Sequence, residues 1–182
     1  EEERTLVKTW AMRGTLHLLA SDDLPLYVAV LGPRWDDPGG AWLRGFGVTR
    51  EQYDAILAGV PRALGARPKT REQLAGKLGE LGGPELREKL LSGWGALLKP
   101  SARRGHLVFG PNRGRNVTFV RPDRWLGRMP RVRSEDAERE ILRRFLAAYG
   151  PATADDVRRW LGMSVAKLKR MLRALEEELV EM

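Results

Sequence analysis

The stretch that decides the fold is Gly105-His-Leu-Val-Phe-Gly-Pro-Asn-Arg-Gly-Arg-Asn-Val-Thr-Phe-Val-Arg121. It holds two runs of β-branched and aromatic residues on either side of a turn rich in Asn and Gly. This pattern is typical of a β-hairpin. We therefore predict a hairpin over 105–120 with Arg113 and Arg115 at its tip.

Helical segments precede the hairpin. The capping boxes Thr49-x-x-Gln52 and Thr70-x-x-Gln73 predict helices to about Leu64 and Leu78, and a third helical region covers about 85–103. Pro61 is expected to kink or divide the first of these helices. Three helices followed by a hairpin is the order of a winged helix, in which the hairpin is the wing.

A second set of helices follows a basic segment. Ser134 starts a predicted helix to about Tyr149, Thr153 caps the next, and Ser164 caps a third over about 165–177. Residues 179–182 have the pattern of the first strand of a second wing. The two sets of helices repeat at a constant offset of 83 residues. At this offset Thr70 aligns with Thr153, Leu74 with Val157, Leu78 with Leu161, and Gly79 with Gly162.

The segment before Thr49 has a different pattern. Residues 5–20 read as strand, turn and strand, and Ser21 is predicted to cap a helix to about Leu31. We expect a mainly α (α+β) fold of tandem winged helix-turn-helix units. Its divisions are 1–48, the C-terminal part of a preceding winged-helix domain; 49–121, a winged-helix domain; 122–133, a basic linker; and 134–182, a second winged-helix domain with a truncated wing. Because the chain starts at Glu1 and ends inside that wing, we interpret it as an internal fragment.

Positive charge is concentrated in the middle of the chain. The net charge is +8, yet residues 1–98 carry 13 basic and 13 acidic groups. Residues 99–133 carry ten basic groups against Asp123 alone, and nine of the ten are arginines. Arginine presents a fork of donors that matches phosphate oxygens, so this segment indicates contact with nucleic-acid phosphates. The alternative is a surface that only keeps the chain soluble.

Several site types are unsupported by the composition. The chain has no cysteine and only His17 and His106, so we expect no metal site and no cofactor. Acid pairs such as Asp155-Asp156 follow helix caps and need no catalytic explanation. No apolar run reaches the roughly 18 residues of a membrane span. We therefore expect a cytoplasmic, nucleoid-associated protein without membrane contact.

Five stretches resemble a known family, the AlkZ-like winged-helix DNA glycosylases. They are Thr9-Trp-Ala-Met-Arg-Gly-Thr-Leu-His-Leu18, Trp94-Gly-Ala-Leu-Leu-Lys-Pro-Ser-Ala102, Gly105-His-Leu-Val-Phe-Gly-Pro111, Gly114-Arg-Asn-Val-Thr-Phe-Val-Arg-Pro122 and Ala148-Tyr-Gly-Pro-Ala-Thr153. The resemblance implies tandem winged helices, a C-terminal β-barrel, and metal-free excision of alkylated or crosslinked bases.

The resemblance also implies a catalytic Gln-x-Gln or Gln-x-Asp motif upstream of the Met-Arg-Gly-Thr segment. The glutamines here are Gln52 and Gln73, and neither lies in such a motif. No catalytic residue is therefore assigned, and enzymatic activity of this chain stays open. The implied partners are double-stranded DNA and the parts of a parent chain that this sequence lacks, an N-terminal segment and a β-barrel.

The sequence supplies a set of candidate DNA-binding residues. Arg13 and His17 lie four residues apart in a predicted extended segment, so they should share a face, with structural roles as the alternative for both. The basic residues of the second recognition-helix position could contact DNA or form a solvated face. The full set is Arg13, His17, Lys99, Arg103, Arg104, Arg113, Arg115, Arg121, Lys167, Lys169, Arg170 and Arg173. The leading interpretation is DNA binding within a glycosylase. The alternatives are a winged-helix transcriptional regulator without enzymatic activity and a protein-interaction module.

Overall fold

The computed structural model describes residues 4–32, 38–65, 67–92 and 95–179. The chain opens with an antiparallel hairpin of β1 (Leu6–Trp10) and β2 (Leu16–Ala20), as predicted. A 3-10 turn at Ser21–Asp23 leads into α1 (Leu24–Leu31), and α2 (Gly40–Gly45) follows. The predicted cap at Ser21 is wrong, because its hydroxyl donates to the carbonyl of Arg4 and so ties the chain start to the hairpin.

Four helices follow, and their starts confirm both capping boxes. They are α3 (Arg50–Ala63), α4 (Arg71–Gly82), α5 (Pro84–Ser92) and α6 (Lys99–Arg103). The hydroxyls of Thr49 and Thr70 each accept the backbone N–H three residues on, and the glutamine there returns the contact. Helix α3 runs through Pro61 without dividing, and α4 extends beyond the predicted end at Leu78.

The predicted hairpin is confirmed as β4 (Val108–Arg113) and β5 (Asn116–Val120). A short strand, β3 (Lys69–Thr70), completes a three-stranded antiparallel sheet in the order β3-β5-β4. Phe109 lies opposite Phe119, and the register shifts between Gly110 and Arg113. Helices followed by a small sheet in this order form a winged helix, so the wing was predictable from local sequence.

The remaining helices begin with a short element that the sequence did not predict, α7 (Pro122–Trp125), inside the expected linker. Helices α8 (Ser134–Tyr149), α9 (Ala154–Leu161) and α10 (Val165–Arg173) follow. Thr153 forms a capping box at the start of α9, and the Ser164 hydroxyl caps α10. Residues 180–182, most of the predicted truncated strand, lie outside the described residues.

Two apolar clusters hold these elements together. One joins the β1–β2 hairpin and α1 to helices α8–α10, and the other joins α3–α6 to the wing sheet. The first hairpin reaches both clusters, since Val7 belongs to one and Trp10 to the other. The Trp10 ring packs edge-on against Phe109 with centroids 4.6 Å apart. The described residues form a mainly helical architecture with two small sheets, which confirms the predicted α+β class.

Candidate nucleic-acid interface

The two arginines at the wing tip have different surroundings. Arg115 is exposed in the turn between β4 and β5, and no hydrogen bond or ion pair joins it to the described residues. Arg113 is also exposed, but its guanidinium donates to the Pro68 carbonyl at 3.0 Å. Its other nitrogen lies 3.5 Å from Gln73 Oε1, at the long limit for a hydrogen bond. Arg115 is therefore the freer of the two, while Arg113 also fastens the wing to the start of α4.

Arg121, at the end of the wing sheet, is held within the protein. Its guanidinium pairs with both carboxylate oxygens of Asp123, at 2.9 and 2.7 Å, and donates to the Pro61 carbonyl at 3.0 Å. These hydrogen bonds lower the pKa of the Asp123 carboxyl. The sequence pattern treated Arg121 as one of ten cations facing a single acid, whereas in the structure that acid is bound to it.

Arg104 lies beside the second histidine. Burial lowers the pKa of His106, and the nearby positive charge of Arg104 lowers it further. The His106 Nδ1 atom is buried without a hydrogen-bond partner among the described residues. The histidine is therefore a half-buried packing residue close to α6 and the wing, and Arg104 lies at the half-buried surface next to it.

The prediction that Arg13 and His17 share a face of an extended strand is wrong. Arg13 lies in a tight turn at Met12–Gly14 with φ 54°, a left-handed backbone conformation, whereas His17 lies on strand β2. In this turn Arg13 is exposed and lies next to Gly162. A Cβ atom added to Gly162 would lie 3.4 Å from Arg13 Cγ. His17 is half-exposed, and its Nδ1 lies 2.9 Å from the Thr15 carbonyl oxygen.

The same turn covers two cations of α6. A Cβ atom on Gly14 would lie 3.2 Å from Arg103 Nη2 and 3.6 Å from Lys99 Cδ, so glycine permits this close approach. Arg103 is only 7% exposed, and its Nε–H donates to the Ala11 carbonyl at 3.2 Å. Lys99 is half-buried. A residue expected on an open surface is thus anchored under the turn.

A cleft of about 550 Å³ brings distant segments together. Its charged lining comes from Arg103 on α6 and from Lys167 and Arg170 on α10. The rest of the lining is mostly apolar: Val30, Leu31, Leu161, Gly162, Met163 and Ser164. We call this feature the basic cleft. Of the described residues that line it, none is acidic.

Lys167 is partly engaged at the basic cleft. Its ammonium donates to the Val30 carbonyl at 2.8 Å and pairs with Glu138 at 3.0 Å. The Lys167 and Glu138 side chains are 21% and 14% exposed, so this ion pair is partly sheltered from solvent. Arg170, one turn along α10, is exposed and has no ion pair with the described residues.

The remaining predicted cations of α10 do not line the cleft. Lys169 and Arg173 are exposed, and Arg173 lies beside the Glu176–Glu178 turn in a shallow polar depression. The structure thus brings Arg103, Lys167 and Arg170 together, with Lys99 and Arg13 at the adjoining turn. It leaves the wing tip as a separate site.

Sequence reasoning named the cations of the cleft but missed the residues that position them. Gly14 and Gly162 have φ of 73° and 66°, and both permit backbone contacts that a side chain would strain. Glu138, which fixes Lys167, lies on a helix whose exposed face looked ordinary. The sequence signal for Gly162 was its place in the repeat at an offset of 83 residues. Its counterpart Gly79 lies inside α4, whereas Gly162 follows the end of α9 and lies in contact with Arg13.

Among the described residues, no group of three or more histidine and acidic side chains is placed to hold a metal ion. In the same part of the chain, none of the helices has the length and apolar character that crossing a bilayer requires.

Comparisons with known proteins agree with the resemblance noted in the sequence. The family model described as DNA glycosylase AlkZ-like matches residues 1–182. A curated relative, the interstrand DNA cross-link repair glycosylase of Streptomyces sahachiroi, is 37% identical over 187 residues. The solved structure of Streptomyces sahachiroi DNA glycosylase AlkZ superimposes with a TM-score of 0.85 at 37% identity. Each match covers 97% of this chain and 49% of the relative, so the chain spans about half the length of that protein. The chain belongs to the AlkZ-like DNA glycosylase family.

Proposed function

We propose that this chain is a DNA-holding part of a base-excision glycosylase acting on alkylated or crosslinked bases. The observation that carries the proposal is the placement of cations from two winged helices on the surface, at the wing tip and around the basic cleft. Membership of the family adds the reaction class. The sequence contains no Gln-x-Gln or Gln-x-Asp motif, so the proposed role is binding rather than bond cleavage.

The physical role follows from what excision requires. A glycosylase gains access to a base held in a duplex by distorting or extruding it, which costs stacking and pairing free energy. Contacts to phosphates fix the register of the protein on the duplex without reading its sequence. Arginines at a wing tip and a cleft can hold the backbone at separate points while another part of the enzyme reaches the lesion.

The proposed partner is double-stranded DNA, and the proposed location is the nucleoid. We also propose the domain division given by the sequence: winged-helix units at 49–121 and 134–182, joined by 122–133, with 1–48 belonging to a preceding domain. Support comes from the matching capping boxes at Thr70 and Thr153, which start equivalent helices. Except for Trp10, the buried apolar residues of 6–31 pack into the same cluster as α8–α10, so the first segment packs directly against the last unit.

The test is a fluorescence anisotropy titration of the 182-residue chain with unrelated duplexes at several salt concentrations. If about four phosphates are contacted, log K should fall with log salt at a slope of roughly −4. Similar slopes and affinities on unrelated sequences support a glycosylase role. Strong preference for one undamaged sequence would favour a transcriptional regulator, and absence of salt-dependent binding would refute the proposal.

A further inference from the structure

We propose that the two winged-helix units contact DNA with different elements, the first with its wing and the second with helix α10. Helix α5, the third helix of the first unit, stays off the duplex. The inference rests on the proposed DNA-binding function and adds to it which surfaces touch the phosphates. The third helix of a helix-turn-helix unit ordinarily lies in the major groove, so the exclusion of α5 is a departure that needs its own evidence.

The outward face of α5 carries acidic side chains. Glu85 and Glu88 are both exposed, and they lie three residues apart, so they share one face of the helix. Duplex DNA carries one negative charge per about 1.7 Å of its axis. A helix that approached the groove with this face would bring two carboxylates towards that charge and would be repelled.

The two cations of α5 do not compensate for this repulsion. Lys89 is half-buried, and its ammonium donates to the Gly47 carbonyl. Arg87 is exposed, but its stem lies against α4: a Cβ atom added to Gly79 would lie 2.8 Å from Arg87 Cβ and 3.5 Å from its Cγ and Cδ. The exposed charge of α5 is therefore two acids against one cation, which does not suit a DNA-contacting helix.

Helix α10, the third helix of the second unit, has the opposite balance. It contains four cations and no acid. Lys167 is engaged within the protein, whereas Lys169, Arg170 and Arg173 are exposed. Arg173 borders the acidic turn Glu176–Glu178, while Lys169 and Arg170 make no ion pair with the described residues. The charge that α5 lacks is therefore present at the equivalent place in the second unit.

The wing supplies the DNA contact of the first unit. Residues 105–122 contain no acid, and Arg115 is exposed at the tip. A Cβ atom added to Gly114 would meet no described atom within 4 Å, so the turn stands clear of its surroundings. Pairing of β3 with β5 and the hydrogen bond from Arg113 to the Pro68 carbonyl at 3.0 Å fix the wing on the unit. Arg115 can therefore reach a phosphate while α5 remains away from the duplex.

The experiment compares Arg87→Ala, Arg115→Ala and Arg170→Ala. Each variant removes one exposed arginine that makes no ion pair with the described residues, so the variants differ only in the element that loses the charge. The 182-residue chains are titrated against one labelled duplex at four salt concentrations. We expect Arg115→Ala and Arg170→Ala each to weaken binding about tenfold at low salt and to flatten the salt slope by about 0.9. The effect of Arg87→Ala should be clearly smaller on both measures.

Single cysteines test the positions directly, because the chain has no cysteine of its own. Glu85→Cys on α5, Asn112→Cys on the wing and Ala166→Cys on α10 all replace exposed residues. The rate of reaction with iodoacetamide is measured with and without saturating duplex. We expect the duplex to slow the reaction on the wing and on α10 and to leave it unchanged on α5. Glu85→Cys also removes an acid, which favours the approach of DNA, so an unchanged rate there is a strict test.

The possible outcomes separate the inference from the proposed function. Protection of Glu85→Cys, or a loss of binding in Arg87→Ala equal to that in Arg115→Ala, would place α5 on the DNA and overturn the inference. It would also be overturned if Arg115→Ala or Arg170→Ala bound like the parent at every salt concentration. In these cases DNA binding by the parent would leave the general function intact, whereas a parent chain that binds no DNA at low salt would overturn both.

Discussion

Replacing Arg115 by Ala should flatten the salt dependence of DNA binding without changing the stability of the chain. Arg115 lies exposed in the wing turn and makes no hydrogen bond or ion pair with the described residues, so its removal leaves no partner unsatisfied. Each phosphate contact in duplex DNA contributes about 0.9 to the slope of log K against log salt. The parental slope of roughly −4 should therefore become about −3.1.

The magnitude is large enough to measure. Between 50 and 200 mM salt, a slope of −4 lowers affinity about 250-fold, and a slope of −3.1 lowers it about 70-fold. Anisotropy titrations of one labelled duplex at four salt concentrations separate these values. Arg50→Ala is the matched control, because it removes the same formal charge from a residue paired with Asp54 at 3.0 Å, outside the wing.

Arg113→Ala tests the other half of the wing. Because Arg113 also donates to the Pro68 carbonyl, this variant should lose up to about 1 kcal/mol of stability, measured by urea unfolding. The Arg113→Ala, Arg115→Ala double variant should flatten the slope by roughly 2. If the double variant binds like the parent at every salt concentration, the wing does not contact DNA and the reasoning fails.

Three further predictions concern the fold. Gly95→Ala should destabilise the chain clearly more than Gly127→Ala in urea unfolding. Both glycines have positive φ, which costs alanine roughly 1–2 kcal/mol, but only at Gly95 would the new Cβ atom lie 2.7 Å from the Trp10 ring. Equal losses of stability in the two variants would contradict this packing. The free energy of unfolding should fall as pH is lowered below 6.5, because the unfolded chain binds a proton less reluctantly than half-buried His106, whose pKa is lowered. The slope should be at most about 1.4 kcal/mol per pH unit, and His106→Gln should remove it between pH 7.5 and 5.5. Thr153→Ala should destabilise the chain by about 1 kcal/mol through loss of the capping box, with Thr153→Ser as the conservative control that restores stability.

Local chemistry made the helices and the wing predictable. Thr49, Thr70 and Thr153 each lie three residues before a side chain that returns the cap, so the sequence alone identifies the helix starts. The Asn/Gly turn between two β-branched runs likewise predicts the hairpin. Ser21 failed as a cap because a long-range partner, the Arg4 carbonyl, binds its hydroxyl.

The basic cleft was not predictable in the same way. Its cations were all named from the sequence, but their convergence depends on contacts between segments as distant as Arg13 and Gly162. The burial of Arg103 and the pairing of Arg121 with Asp123 also arise from tertiary packing. Counting charges therefore located the basic segment in the sequence but could not distinguish its arginines. In the structure Arg115 is exposed, Arg103 is anchored to the Ala11 carbonyl, and Arg121 is paired with Asp123.

The most direct measurement follows binding and base release on the same alkylated duplex. The 182-residue chain is titrated into the labelled duplex, and the released base is quantified from the same samples against a no-protein control. The account predicts salt-dependent binding with no base release above that control. Release of the base by this chain would contradict its assignment as a holding part without the catalytic motif, and failure to bind at 50 mM salt would contradict its role on DNA.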